Sequence, residues 1–181
     1  IFLSLFQSVT TRTAGFNTAD TAAMSEISKA LIISLMLIGG SPGSTEGGMK
    51  TLTVAVLFSS AFSVFRNKPY VGMLKRRVDD NAVRSAFALF LLYVSAFMLS
   101  GVLICFAEGL PLATCLYETA SAIGTVGLSL GITSSLGVFS KFILMILMFL
   151  GRVGGLTLIY ATVGNKNNQL SKLPLEQITI G

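Results

Sequence analysis

Thr13-Ala14-Gly15-Phe16-Asn17 and Thr125-Val126-Gly127-Leu128-Ser129 are two short segments of the same Gly-centred form, 112 positions apart (127 − 15), and each interrupts apolar sequence. Lys29 and Lys141 share that spacing, as do Gly39 and Gly151. An apolar run joins each lysine to its glycine, Ala30 to Ile38 in one copy and Phe142 to Leu150 in the other. Upstream, Ile1 to Thr10 corresponds to Ala113 to Ala122, and each stretch is short enough for a half-length helix. The chain therefore reads as a repeated unit: short helix, Gly-centred turn, then a long helix broken near its middle. Internal repetition of this kind marks membrane transport folds.

Composition points to the same setting. Hydrophobic residues make up 52% and charged residues 12%, against about 25% charged in soluble domains. With no histidine, no Ser/His or Cys/His catalytic set can be assembled and no His/Cys metal spacing exists, so enzyme chemistry is not expected. Cys105 and Cys115 sit within or beside apolar runs and read as small buried hydrophobes rather than a disulfide. Ile1 falls inside the repeat unit, so no signal peptide is expected before it.

Ala82 to Phe106 is 25 residues carrying one charge, Arg84; as a helix it reaches about 37 Å, enough to cross a hydrocarbon core of about 30 Å. Ile27 to Phe65 is two apolar halves separated by Gly39-Gly40-Ser41-Pro42-Gly43-Ser44-Thr45-Glu46-Gly47-Gly48, and Val138 to Val163 contains Gly151, Arg152, Gly154 and Gly155. Both long helices are expected to break at mid-membrane depth. Arg66, Lys68, Lys75, Arg76, Arg77 and Arg84 outnumber Asp79 and Asp80 in the connection from Arg66 to Arg84, and Lys166 and Lys172 outnumber Glu176 in the tail after Gly164. The positive-inside bias makes both connections cytoplasmic and sets the Gly-centred turns near the outer face, with the turn Ala107 to Pro111. Six cations beside two membrane segments favour this topological reading over a nucleic-acid patch.

A Thr-X-Gly turn can direct several carbonyls to one axis, the arrangement that replaces the water around potassium in a selectivity filter, and glycine releases the backbone from the limits a Cβ imposes. The polar loop Gly39 to Gly48 cannot face lipid, where each unpaired backbone group costs several kcal/mol. Directly after an outer half-helix and below the turns, it is positioned to obstruct an ion path. A packed helix kink and a connector between two short helices are the competing readings; a phosphate loop is disfavoured because Gly43-Ser44-Thr45 lacks the Gly-Lys-Ser/Thr ending. Arg152 sits at the equivalent break of the second copy. Burial of an arginine there costs about 2.5 to 3.5 kcal/mol, so it is expected to face a pore or a carboxylate such as Glu46, or else to snorkel from the end of a shorter helix. Lys50 is spaced to pair with Glu46, while Arg12, Lys29 and Lys141 read as anchors nearer the outer ends.

Ser8 to Thr18, Gly39 to Thr45, Ser121 to Ser129 and Gly151-Arg152-Val153-Gly154 resemble the third and fourth repeats of the TrkH/KtrB family of potassium-translocating membrane subunits, and the likeness spans nearly the whole chain. The short tail Ile178-Thr179-Ile180-Gly181 looks more like KtrB. The resemblance implies an all-α integral membrane fold of helix–pore-helix–helix units, four to a complete pore, with broken transmembrane helices. On that scheme residues 1–65 are part of the third repeat, 66–81 a basic cytoplasmic linker, 82–163 the fourth repeat and 164–181 a cytoplasmic C-terminal tail. The fourth unit begins near Ala82, so its counterpart would begin near −30 (82 − 112), and the chain is expected to be the C-terminal half of a longer protein. Glu46 departs from the glycine expected in many relatives.

By resemblance, Thr13, Ala14, Gly15, Thr125, Val126 and Gly127 supply filter carbonyls, Gly39 to Gly48 is the intramembrane gating loop, and Arg152 works with it. The implied activity is potassium translocation through a multi-pass protein of the cytoplasmic membrane, with potassium as the ion and sodium as candidate coupling or activating ion. Implied partners are the lipid bilayer, a second copy in a homodimer, and a cytosolic nucleotide-binding regulatory subunit of the KtrA kind, with no nucleic acid. The alternatives are a sodium-permeable transporter of the same fold and a non-conducting membrane scaffold.

Overall fold

The computed structural model of the 181-residue chain describes residues 2–18, 20–41, 43, 47–68, 70–73 and 76–153. Within them lie six helices: α1 (Phe2–Thr10), α2 (Glu26–Leu37), α3 (Thr51–Phe65), α4 (Asp80–Glu108), α5 (Leu112–Ile123) and α6 (Val138–Val153). A two-stranded antiparallel sheet, β1 (Gly72–Met73) and β2 (Arg76–Arg77), stands between α3 and α4. The described residues are mostly helical, as expected, and this pairing is an unexpected detail of the basic linker, closed by Val78 N–H donating to Val71 O at 2.8 Å and tied to the end of α3 by Ser63 Oγ donating to Tyr70 O at 2.9 Å.

The helix ends follow local chemistry. Ser25 caps α2 by accepting from Ser28 N–H, with Glu26 in the positive first turn. Gly109 ends α4 in the left-handed region at φ 64°, its N–H donating to Cys105 O at 2.9 Å. Pro111 then opens α5. The 29 residues of α4 extend about 43 Å, and α4 is the one helix among the described residues long and apolar enough to cross a membrane; α3 is a shorter apolar helix. At 12 residues, α5 extends about 18 Å, roughly half a hydrocarbon core.

That short helix is the centre of the packing. Every residue from Tyr117 to Ile123 is buried, and α4, α6 and α2 all pack against it. The face of α4 turned inward carries Tyr93, Phe97, Ser100, Gly101 and Ile104. A Cβ at Gly101 would lie 2.5 Å from Leu116 Cδ2, so the lack of a side chain sets how closely α4 approaches α5. Inward on α6 are Ser140, Leu144, Leu147 and Gly151, spaced at helical intervals. From the first copy, Ile32 and Met36 of α2 join Tyr117, Ala120, Val126 and Leu128 of the second in one apolar cluster. The outward faces are equally apolar: Phe2, Phe62, Phe65, Phe87, Leu91, Phe106, Phe142 and Phe149 are exposed. An exterior this apolar, around a core that also buries Glu118, Thr119 and Ser121, departs from the soluble pattern. The two cysteines are free thiols, Cys115 buried and Cys105 donating to Leu110 O.

Candidate functional site

Each Gly-centred turn follows a short helix and closes on that helix's last carbonyls. After α1, Ala14 and Gly15 N–H both donate to Thr10 O, at 3.2 and 3.1 Å, and Thr10 Oγ1 donates to Phe16 O at 2.7 Å. After α5, Thr125 N–H donates to Ala122 O at 3.1 Å and Val126 N–H to Ser121 O at 2.9 Å. The backbone signatures match. Thr13 has φ 56° and Gly15 φ 72°; Thr125 has φ 53° and Gly127 φ 88°. Only three non-glycine residues among those described have positive φ, and two of them are these threonines. For a β-branched residue this is a strained conformation, costing about 1 to 3 kcal/mol. Its occurrence at both turns ties the strain to what they share.

The two turns are neighbours in space. A Cβ built on Gly15 would run into Val126 O and lie 3.8 Å from Gly127 Cα, so the first turn approaches the second to a distance only glycine permits. Beneath the second turn, a Cβ at Gly124 would lie 2.5 Å from Met36 O, and one at Gly151 would collide with Ile123 O. Helix α6 is continuous through Gly151, Arg152 and Val153, where Gly151 serves contact between α6 and the end of α5; the rest of the expected break, Gly154 and Gly155, lies outside the described residues.

The break between α2 and α3 is as expected. Its described residues are Gly39, Gly40, Ser41, Gly43, Gly47 and Gly48, while Pro42, Ser44, Thr45 and Glu46, and hence a pairing of Glu46 with Lys50 or Arg152, lie outside them. The loop is pinned at its base: Gly39 N–H donates to Met49 O at 2.7 Å, Met49 N–H to Leu37 O at 3.1 Å, and Thr51 N–H to Gly40 O at 3.1 Å. These bonds satisfy inside the protein a backbone that lipid could not. At the far side Gly47 N–H donates to Thr125 Oγ1 at 3.2 Å, and a Cβ at Gly47 would run into that side chain. The loop therefore rests directly against the second turn.

A cavity of about 410 Å³ opens at the same place, lined by Glu118, Thr125, Gly127, Ser129 and Arg152 among others. Arg152 thus shares a space with the second turn, although its residue surface is largely exposed. Lys29 pairs with Glu26 at 3.0 Å and Lys141 donates to Ser134 O at 3.0 Å, both away from this cavity. Glu118 escaped the reading of the sequence. It is 4% exposed and accepts from Ser129 Oγ at 2.7 Å, Leu130 N–H at 2.9 Å and Thr133 Oγ1 at 3.0 Å. A lone carboxyl inside the apolar stretch Ala113 to Ala122 was the available signal.

The fold and site define a mostly helical protein of membrane-compatible surface in which two strained Thr-X-Gly turns meet beside a polar loop. The chain belongs to the TrkH family: that family's model, described as a cation transport protein, matches residues 1–170. It is 35% identical over its whole length to Ktr system potassium uptake protein D of Bacillus subtilis, covering 40% of that protein. It is 34% identical to Ktr system potassium uptake protein B of Vibrio alginolyticus and to potassium/sodium uptake protein NtpJ of Enterococcus hirae, with 98% of the chain and 39% and 41% of those proteins covered. The chain spans about two fifths of the length of these relatives, which are transport proteins and not enzymes.

Proposed function

We propose that the chain contributes two of the four filter turns of a potassium-translocating membrane protein, Thr13, Ala14 and Gly15 from one helix–pore-helix–helix unit and Thr125, Val126 and Gly127 from the next. The observation that carries this reading is the shared alternation of positive φ at Thr, negative φ at Ala or Val, and positive φ at Gly. In a strand successive carbonyls point to opposite sides; alternating the handedness of successive residues turns them to one side. A stack of carbonyls facing one axis holds a dehydrated cation strongly enough to strip its water and weakly enough to release it. The strain of a left-handed threonine is then intelligible as the cost of that presentation.

On this reading α1 and α5 are pore helices, α4 spans the bilayer, and the protein crosses the cytoplasmic membrane several times with the basic hairpin inside. Gly39 to Gly48 is the gate, supported by its contact with Thr125 from below, and Arg152 adds a positive charge to the same cavity. Two similar proteins are named as parts of a Ktr system, which supports a regulatory subunit bound on the cytoplasmic side; a homodimer rests on family resemblance. NtpJ is named for potassium and sodium, and that supports sodium permeation as the second reading.

Potassium uptake by the full-length protein, in cells unable to grow at limiting potassium, tests the function. Growth restored by potassium influx is expected; a correctly inserted protein that moves neither ion is a scaffold. Arg152 has its own expected outcome. A charge near the ion path repels a cation by about 1 kcal/mol at 4 Å in a water-like medium, roughly fivefold in rate. Arg152→Ala should therefore raise resting flux about fivefold, and Arg152→Lys by less because the charge remains while the planar fork is lost. Equal liposome flux in all three proteins would remove Arg152 from the barrier.

A further inference from the structure

The segment leaving the second turn is held from two sides. Thr21, which follows the first turn and is buried, donates through Oγ1 to Ser129 O at 2.8 Å. From α5, the buried Glu118 accepts from the Ser129 hydroxyl, the Leu130 N–H and the Thr133 hydroxyl. Ser129 Oγ lies 2.8 Å from Thr133 Oγ1 and accepts from Gly131 N–H at 2.9 Å. Ser129 is two residues from Gly127, and Glu118 lines the cavity that Gly127 borders. All three donors converge on one carboxyl group, which uses both its oxygens as acceptors. The residue equivalent to Glu118 in the first copy (118 − 112) is Phe6, whose side chain is exposed and carries no carboxyl, and among the described residues the first turn closes through Thr10 and Phe16.

We propose that Glu118 is a positioning residue for ion selectivity, acting on the second turn alone by fixing Ser129 to Thr133 so that the carbonyls at Thr125 to Gly127 keep their spacing. The proposal rests on the reading of these turns as filter. Selection between potassium and the smaller sodium ion depends on the size of the carbonyl ring and on the number of carbonyls that face the ion, and a loose chain leaving the ring changes both. The second turn is thereby held by a carboxyl that the first copy lacks at the equivalent position, Phe6.

Competitive uptake of potassium against sodium by the full-length protein tests this with Glu118→Ala, Glu118→Gln, Ser129→Ala and, as reference, Gly127→Ser. Loss of hydrogen bonds to a buried acceptor predicts a roughly tenfold fall in the potassium-to-sodium ratio for Glu118→Ala. Glu118→Gln, which keeps an acceptor for Ser129 and Leu130, should fall less, and Ser129→Ala should reproduce part of the loss. A purely structural role would lower uptake of both ions together and leave the ratio unchanged, and that result overturns the proposal. If Gly127→Ser changes the ratio while the Glu118 and Ser129 variants do not, the proposal alone fails; if none changes it, the filter reading fails with it. Should Glu118→Ala not reach the membrane, Glu118→Gln and Ser129→Ala decide: a lowered ratio in either supports the brace, and wild-type ratios in both overturn it.

Discussion

Gly15→Ser in the full-length protein is expected to lower preference for potassium over sodium by more than roughly tenfold, and to do so more severely than Gly127→Ser. Both glycines have left-handed backbones, φ 72° and 88°, where a Cβ costs about 1 to 2 kcal/mol. They differ in what surrounds them. At Gly127 an added Cβ meets nothing within 4 Å, whereas at Gly15 it runs into the carbonyl oxygen of Val126. The serine at 127 therefore strains its own turn, while the serine at 15 strains its own turn and displaces a carbonyl of the other. Each 1.4 kcal/mol is a factor of ten in an equilibrium preference. Competitive uptake with the variants at wild-type abundance checks the order; equal effects would mean that the approach of Gly15 to Val126 does not matter to selection.

Removing several residues between Gly40 and Gly47 is expected to raise basal flux at least about tenfold, the rate change of a barrier lowered by about 1.4 kcal/mol, and to weaken its dependence on a regulatory subunit. The bonds from Gly39, Met49 and Thr51 that pin the loop's base leave its sequence free to shorten without unravelling α2 or α3, and shortening is expected to draw Gly47 away from its hydrogen bond to Thr125. Flux from purified protein in liposomes, with and without the proposed regulatory subunit, checks it. Disappearance of flux from a folded, inserted protein would make the loop a support for the second turn instead of an obstruction.

The long apolar helix, both short helices and the break after Leu37 were legible because each rests on local signals: apolar runs, a glycine-rich interruption, Ser25 before Glu26. The strained threonines were legible only as a motif, since positive φ at Thr13 and Thr125 is imposed by closure onto Thr10 and Ser121. The contact role of Gly151 was not legible, because a glycine that ends a helix and one that lets a helix touch a carbonyl look the same in sequence. The β1–β2 hairpin was hidden among basic residues whose pattern spoke for topology. Glu118 stayed out of sight for a different reason: its partners lie 11, 12 and 15 positions further on, and only the path of the chain after Gly127 returns them to α5.

Rubidium scatters anomalously and substitutes for potassium in size and charge, so anomalous diffraction from crystals of the full-length protein in rubidium tests the central claim most directly. The account predicts ion density on an axis faced by the carbonyls of Thr13, Ala14 and Gly15 and those of Thr125, Val126 and Gly127. Density elsewhere in the molecule, with none between these two turns at a concentration that supports flux, would contradict it.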